Sequence, residues 1–343
     1  MITVFSEDHR LHHGKYELID GRFMPPFENP VRADRIMARI REVGLGEVVT
    51  PRDHGLDPIA QVHTRRFIEF MQTAHEQWRK EHGDTDALPI CWPTRTLRQT
   101  EPETIDGRLS YFSFDAGTPI TSGTWQAATS AANVAMTGVE LIQEGEEAVF
   151  SLCRPPGHHA SMDLYGGYCF FNNAAIAVKA LLGKEGAERV AILDVDYHHG
   201  NGTQAIFYGR GDVLFVSLHA DPAQEYPYFL GYADETGEGK GEGANRNFPM
   251  PWGTEWPSYL ESLEKGLAII RDFGPDTIVV SLGVDTFEED PISRFRLKSD
   301  DYLRLGEKIG RLSLPTLFIM EGGYAVEQIG INVVNLLTGF EGA

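Results

Sequence analysis

The chain has 343 residues, 42% of them hydrophobic, enough to bury one large core or two ordinary ones. Lys and Arg number 30 against 50 Asp and Glu, and the resulting net charge of −20 repels phosphate backbones and anionic membrane surfaces, which argues against nucleic-acid and membrane partners. Three cysteines, Cys91, Cys153 and Cys169, form no CxxC pair, so a disulfide framework and a cysteine zinc site are both excluded.

Taken in chain order, the sequence predicts a strand at 2–5, a helix at 31–43, a strand at 47–50, helices at 57–80 and 122–144, and a strand at 149–153. A helix at 172–185 follows, then strands at 190–195 and 213–218, a helix at 256–273, a strand at 277–282, a helix at 299–312 and a strand at 315–320. Most of the strand runs are apolar and β-branched without polar alternation, as in strands buried on both faces. Their alternation with helices predicts an α/β fold: a single domain over 1–343 with one parallel sheet flanked by helices on both faces. The first residues, Met1 to Asp8, turn acidic before a signal core forms, and no later apolar run reaches the roughly 18 residues that span a bilayer, so a cytoplasmic setting is expected.

Two segments, 81–121 and 219–255, resist this pattern and read as long loops lining a site or an interface. The first holds Trp92, Tyr111, Phe112 and Phe114, too many aromatics for disorder, and is expected to pack on something such as a second subunit. The second contains a glycine-rich run, 237–243, that reads as a flexible loop because no Gly-Lys-Ser/Thr follows a strand.

Four strand ends carry candidate chemistry. The strand at 190–195 runs into Asp194-Val-Asp-Tyr-His-His-Gly-Asn-Gly202, where period-two geometry puts Asp194, Asp196 and His198 on one side. The strand at 277–282 leads to Asp285, at the edge where parallel sheets place ligands. Asp196, His198 and Asp285 offer a divalent metal two oxygens and one nitrogen with a position left open for water; zinc suits this set, and manganese or ferrous iron accepts the same ligands. The strand at 149–153 leads to His158 and His159, which Asp194 and Asn201 are available to orient; an aspartate partner raises a histidine pKa more than an asparagine does, so the pair would differ in basicity. The strand at 315–320 ends in Glu321-Gly-Gly-Tyr324, bringing a phenol to stabilise an oxyanion at a metal-polarised carbonyl. Together these ends read as a metallohydrolase site.

These residues resemble the zinc-dependent deacetylases of the arginase–deacetylase fold, the superfamily of histone deacetylases and acetylpolyamine amidohydrolases. The resemblance rests on Arg154-Pro-Pro-Gly-His-His-Ala160, Gly166-Gly-Tyr-Cys-Phe-Phe-Asn-Asn173, Asp194 to Thr203, Ser281-Leu-Gly-Val-Asp285 and Glu321-Gly-Gly-Tyr324, in the family's order across nearly the whole chain. Phe5-Ser-Glu-Asp-His9, Lys15-Tyr-Glu17, the insertion around Asp106-Gly107 and Gly283-Val-Asp-Thr-Phe287 look like the bacterial acetylpolyamine amidohydrolases in particular.

The resemblance implies one zinc ion held by Asp196, His198 and Asp285, His158 backed by Asp194, His159 backed by Asn201 and acting as general base, and Tyr324 polarising the acetyl carbonyl. It implies structural potassium at Asp194, Asp196, His198, Ser217 and Leu218, and at main-chain oxygens near Phe207, Arg210 and Val213. Tyr168 and Tyr226, with Gly167, would line a narrow tunnel. Glu17 and Asp106 would face the distal ammonium of a cationic small-molecule substrate, Asp106 across a homodimer interface built by the 81–121 insertion. Gly117 stands where some relatives carry an acidic residue, which favours short acetylated diamines, of the acetylputrescine or acetylcadaverine type, over long polyamines. The alternatives are a protein acetyl-lysine deacetylase, against which a covered tunnel mouth argues, a two-manganese ureohydrolase, which needs extra bridging aspartates, and a non-enzymatic acetyl-amide binder, which should have lost a catalytic residue.

Overall fold

A computed structural model describes residues 1–343 except 20, 184 and 185. In chain order it comprises β1 (Ile2–Val4), β2 (Glu17–Ile19), β3 (Arg22–Met24), α1 (Val31–Val43), β4 (Val48–Val49), α2 (Asp57–Ala60), α3 (Arg65–His82), α4 (Ile105–Tyr111), α5 (Thr124–Gln143) and β5 (Ala148–Ser151). There follow α6 (Asn173–Leu181), β6 (Val190–Asp194), α7 (Asn201–Phe207), β7 (Val213–Ala220), β8 (Asn245–Met250), α8 (Trp256–Phe273), β9 (Thr277–Leu282), α9 (Ser299–Gly310), β10 (Thr316–Met320) and α10 (Ile329–Glu341).

Eight strands form one parallel sheet in the order β4-β1-β5-β10-β9-β6-β7-β8, and β2 pairs with β3 in a separate antiparallel hairpin. The continuous apolar runs are the inner strands, where period-two alternation feeds two cores. Val149, Ile192, Phe215, Val279 and Leu317 pack with α3, α5 and α6 on one face. Phe150, Leu193, Val216, Val280 and Phe318 pack with α1, α8, α9 and α10 on the other. The expected fold class, a parallel sheet with helices on both faces, is therefore observed.

Several boundaries differ from expectation for local reasons. The helix expected over 57–80 is two, because Thr64 caps a new start by accepting the Phe67 N–H. The two long loops contain the unexpected α4 and β8, and α7 and α10 were not expected either. β8 reads Asn-Arg-Asn-Phe-Pro-Met, polar and interrupted by Pro249, which a strand tolerates at the sheet edge. The last two positions of the helix expected over 172–185 lie outside the described residues. Among the described residues, no helix is long and apolar enough to cross a membrane.

Candidate active site

The four strands that end in chemistry, β5, β10, β9 and β6, are consecutive neighbours in the sheet, so their carboxyl ends deliver the sequence motifs to one place. Beyond β6, Asp196 and His198 turn toward Asp285 from beyond β9. His198 Nδ1 lies 3.0 Å from Asp285 Oδ2 and 3.4 Å from Asp196 Oδ1. One ligand atom from each of the three lies within 4.8 Å of the others, and all three residues are buried. A tetrahedral metal with bonds of about 2.0–2.2 Å spaces its ligands by about 3.4 Å, so this donor set fits one divalent cation.

Each carboxylate is aimed by the backbone. Asp196 Oδ2 accepts the Gly322 N–H at 2.8 Å and its Oδ1 accepts the His198 N–H at 2.9 Å, while Asp285 Oδ1 accepts the Tyr197 N–H at 2.9 Å. A Cβ on Gly283 would stand 2.0 Å from Asp196 Oδ2, and one on Gly322 2.6 Å from the same atom. Both glycines are thus steric requirements of the cluster. Burial works against a charged His198, but Asp196 and Asp285 beside it hold its pKa up at about 10. The same acidic field favours any cation that replaces the proton.

His158 and His159 follow β5 with ring centroids 4.0 Å apart. His158 Nδ1 lies 3.0 Å from Asp194 Oδ2, and His159 Nδ1 lies 2.6 Å from Asn201 Oδ1, which reproduces the expected pairing. Burial opposes charge on both. Asp196 and Asp194 overcome it at His158 and raise its pKa to about 10; at His159 the neighbouring His158 and His198 add to burial and push the pKa well below the ordinary value.

Tyr324, buried beyond β10, is fixed by its backbone N–H on Asp290 Oδ2 at 2.7 Å. The Arg32 guanidinium stands 4.8 Å from its ring centroid. Arg32 also donates to the carbonyls of Glu321 and Gly323 at 2.6 Å each, clamping the turn that carries the tyrosine. Glu28 accepts from Arg32 and, through both oxygens, from Arg154 at 2.7 and 2.9 Å; burial alone would raise its carboxyl, but the two guanidinium groups hold it at about 2. Glu321 Oε2 accepts the N–H groups of Gly157 and His158, tying the histidine turn to β10.

A cavity of about 710 Å³ opens onto His159, His198 and Tyr324, with Tyr168, Gly167 and Tyr226 in its wall. Asp115 joins the two tyrosine-bearing segments: Oδ2 accepts the Tyr226 hydroxyl at 2.8 Å and the Gly167 N–H at 2.5 Å. Sequence reasoning missed Asp115, although it precedes Gly117 by two and accepts that residue's N–H in a local turn. It also missed Arg32, Glu28, Glu321 and Asp290. Glu28 and Arg32 lie four apart across the start of α1, and nothing local in the sequence signals their burial.

The remaining expected residues do not all reach this cavity. Glu17 is fully buried on β2, accepts the Phe27 N–H at 2.9 Å through Oε1 and lies beside Tyr168. Asp106, on α4, is partly exposed, pairs with His82 at 3.0 Å and is not among the residues that line the cavity. Ser217 on β7 is the register partner of Asp194, with Leu218 next to it. Phe207 ends α7, Val213 begins β7, and Arg210 lies between them. Gly117 is part of the cavity lining.

Residues 26–339 match the family model described as the histone deacetylase domain. The chain is 62% identical to acetylpolyamine amidohydrolase 2 of Pseudomonas aeruginosa, covering 100% of this chain and 99% of that one. It is 50% identical to the acetylpolyamine amidohydrolase of Mycoplana ramosa, covering 100% of each. The crystal structure of the Burkholderia pseudomallei acetylpolyamine aminohydrolase superposes with a TM-score of 0.93 at 39% identity, covering 99% of this chain and 98% of that one. The chain belongs to the histone deacetylase family, within its acetylpolyamine amidohydrolase branch, and is a hydrolase.

Proposed function

We propose that this enzyme hydrolyses the acetyl amide of acetylated polyamines, favouring short diamines of the acetylputrescine and acetylcadaverine type, to release acetate and the free amine. The observation that carries the reading is the single cavity that brings His159, His198 and Tyr324 to one end of a tyrosine-walled channel. Asp196, His198 and Asp285 are assigned one zinc ion, which when bound supplies a Lewis acid that polarises the amide carbonyl and acidifies water.

The protein's own groups do the rest. With Nδ1 hydrogen-bonded to Asn201, His159 has Nε2 free to take a proton from the attacking water and to return it to the departing nitrogen. Burial beside cationic neighbours keeps it neutral and ready to accept. Asp196 and Asp194 hold the His158 pKa up, Asp194 through a 3.0 Å contact with Nδ1, and Tyr324 is assigned the hydroxyl donated toward the developing oxyanion. Tyr168 and Tyr226 grip the aliphatic chain. Glu17, buried beside Tyr168, and Asp106, presented by the partner copy in a homodimer, are assigned to the distal ammonium; the exposed Ile90 and Leu97 of the 81–121 segment support that interface. Structural potassium is assigned to Asp194, Asp196, His198, Ser217 and Leu218, and to main-chain oxygens near Phe207, Arg210 and Val213, the buried Asp194–Ser217 register pair supporting the first position. The net charge of −20 supports a cationic substrate and argues against nucleic-acid and membrane partners, and the three free cysteines support a cytoplasmic setting.

The deciding experiment compares kcat/KM for N-acetylcadaverine and an acetyl-lysine peptide, with zinc-loaded and metal-stripped enzyme. Preference for the diamine, lost with the metal, is the expected result. Preference for the peptide would overturn the substrate class and the covered entrance while keeping the deacetylation chemistry.

A further inference from the structure

The rim of the cavity holds a cation that deacetylation itself does not use. Among the described residues, three charged side chains line the cavity beyond the histidines: Asp115, Glu225 and Arg294. Both carboxylates are committed to neutral donors. Asp115 accepts from Gly167 and Tyr226, and Glu225 accepts the Tyr197 hydroxyl at 2.7 Å and the Trp252 indole N–H at 3.1 Å through Oε2, and the Tyr226 N–H at 3.1 Å through Oε1.

Arg294 is placed differently. Its guanidinium lies 4.6 Å from the centroid of the Trp252 ring, is exposed, and among the described residues makes no ion pair. The platform beneath it is held by the Trp252–Glu225 hydrogen bond, and the Arg294 carbonyl accepts the Gly253 N–H at 2.8 Å. A stacked guanidinium on a braced indole is therefore a fixed positive charge rather than a freely sweeping one.

We propose that Arg294 is a specificity-determining residue that limits the positive charge a substrate carries past the cavity mouth. The inference rests on the proposed amine substrate class and deepens it. With the acetyl group beside Tyr324 and His159, the aliphatic chain runs outward between Tyr168 and Tyr226. An acetylated diamine has one ammonium, which the carboxylates assigned above receive. An acetylated triamine has a second ammonium farther along, which emerges where Arg294 stands. Like charges at a partly exposed rim cost about 3- to 10-fold in affinity at low salt. A chain ending in a carboxylate meets the opposite field and is favoured.

The test measures kcat/KM at low salt on N-acetylputrescine, monoacetylspermidine and acetylated 6-aminohexanoate for the parent enzyme, Arg294→Glu and Arg294→Gln. The ratio of monoacetylspermidine to N-acetylputrescine is expected to rise about 10-fold in Arg294→Glu and about 3-fold in Arg294→Gln, in KM rather than kcat, while the anionic substrate moves the other way. Salt at about 0.5 M should erase the difference by screening. Arg296→Glu, the same charge change at an exposed position outside the cavity lining, should leave the ratio unaltered. An unchanged ratio in Arg294→Glu, or an equal shift in Arg296→Glu, overturns the inference. If the parent enzyme turns over none of the three amides, the amine substrate class falls and this inference with it; turnover with an unchanged ratio overturns the inference alone.

Discussion

His159 Nδ1 lies 2.6 Å from the side-chain oxygen of Asn201, a neutral partner, while the adjacent His158 takes the carboxylate of Asp194. The two neighbouring imidazoles differ in basicity: burial opposes charge on both, Asp196 and Asp194 hold His158 up, and His158 and His198 push His159 further down. Asn201→Asp would give His159 an anionic partner and stabilise its protonated form. A base that must be neutral then works only at higher pH, so the acid limb of the kcat/KM profile should move upward by about 1 unit or more. A profile that stays in place would remove His159 from the role of base.

Tyr324→Phe keeps the ring against Arg32 and the backbone bond to Asp290, and removes only the hydroxyl. Loss of one oxyanion donor should lower kcat by about 10²–10³-fold with metal content and thermal midpoint unchanged. Undiminished turnover, with metal content measured in the same preparation, would contradict the assignment.

Gly167 has φ +56, and a Cβ there would meet His159 Cδ2 at 2.2 Å and the Tyr226 hydroxyl at 2.9 Å. Gly167→Ala should therefore displace the histidine, lowering kcat more than 10-fold and stability by about 1–3 kcal/mol. Gly209→Ala, where no comparable contact arises, is the control expected to retain activity.

Burial raises the Glu17 carboxyl from 4.5 to about 7, so the folded protein holds a proton that the unfolded chain has released. The native state binds more protons across that interval, and stability is lost as pH rises through it. Glu17→Gln keeps an acceptor for the Phe27 N–H and abolishes the titration. Its stability advantage should grow from near zero at pH 4.5 to about 2–3 kcal/mol above pH 7, read from thermal midpoints of both proteins across that range. A gap that does not vary with pH would show that Glu17 does not titrate there.

Asp106 is partly exposed in its own chain and pairs with the likewise exposed His82, so Asp106→Ala should leave the fold intact. It is expected to raise KM several-fold for acetylated amines with a distal ammonium and to leave uncharged acetamides alone. Equal effects on both substrates, or a monomer by light scattering, would sink its cross-subunit role.

Much of this protein was legible along the chain because its determinants are local. Parallel strands covered on both faces are apolar at most positions, so six of the eight declared themselves as largely apolar runs, with the short edge strand at Val48–Val49 also expected. The histidines, the aspartates and Tyr324 stand at or just beyond strand ends; the residues alone left open which imidazole takes Asp194 and which Asn201, and the family resemblance implied the assignment. β8 was hidden because an edge strand with one exposed side does not need to be apolar.

The sequence by itself thus determined the layered sheet, the candidate metal-binding donor set and the two histidines, since periodicity and residue chemistry carry that information. Only the tertiary structure decided that β5, β10, β9 and β6 are adjacent and that Glu321 orders the histidine turn 164 residues before it. It alone decided that Arg32 clamps the turn of Tyr324 and that Asp115 joins the walls of Gly167 and Tyr226. These are contacts between groups far apart in the chain, whose charges are tolerable in the interior only because folding brings each one its partner.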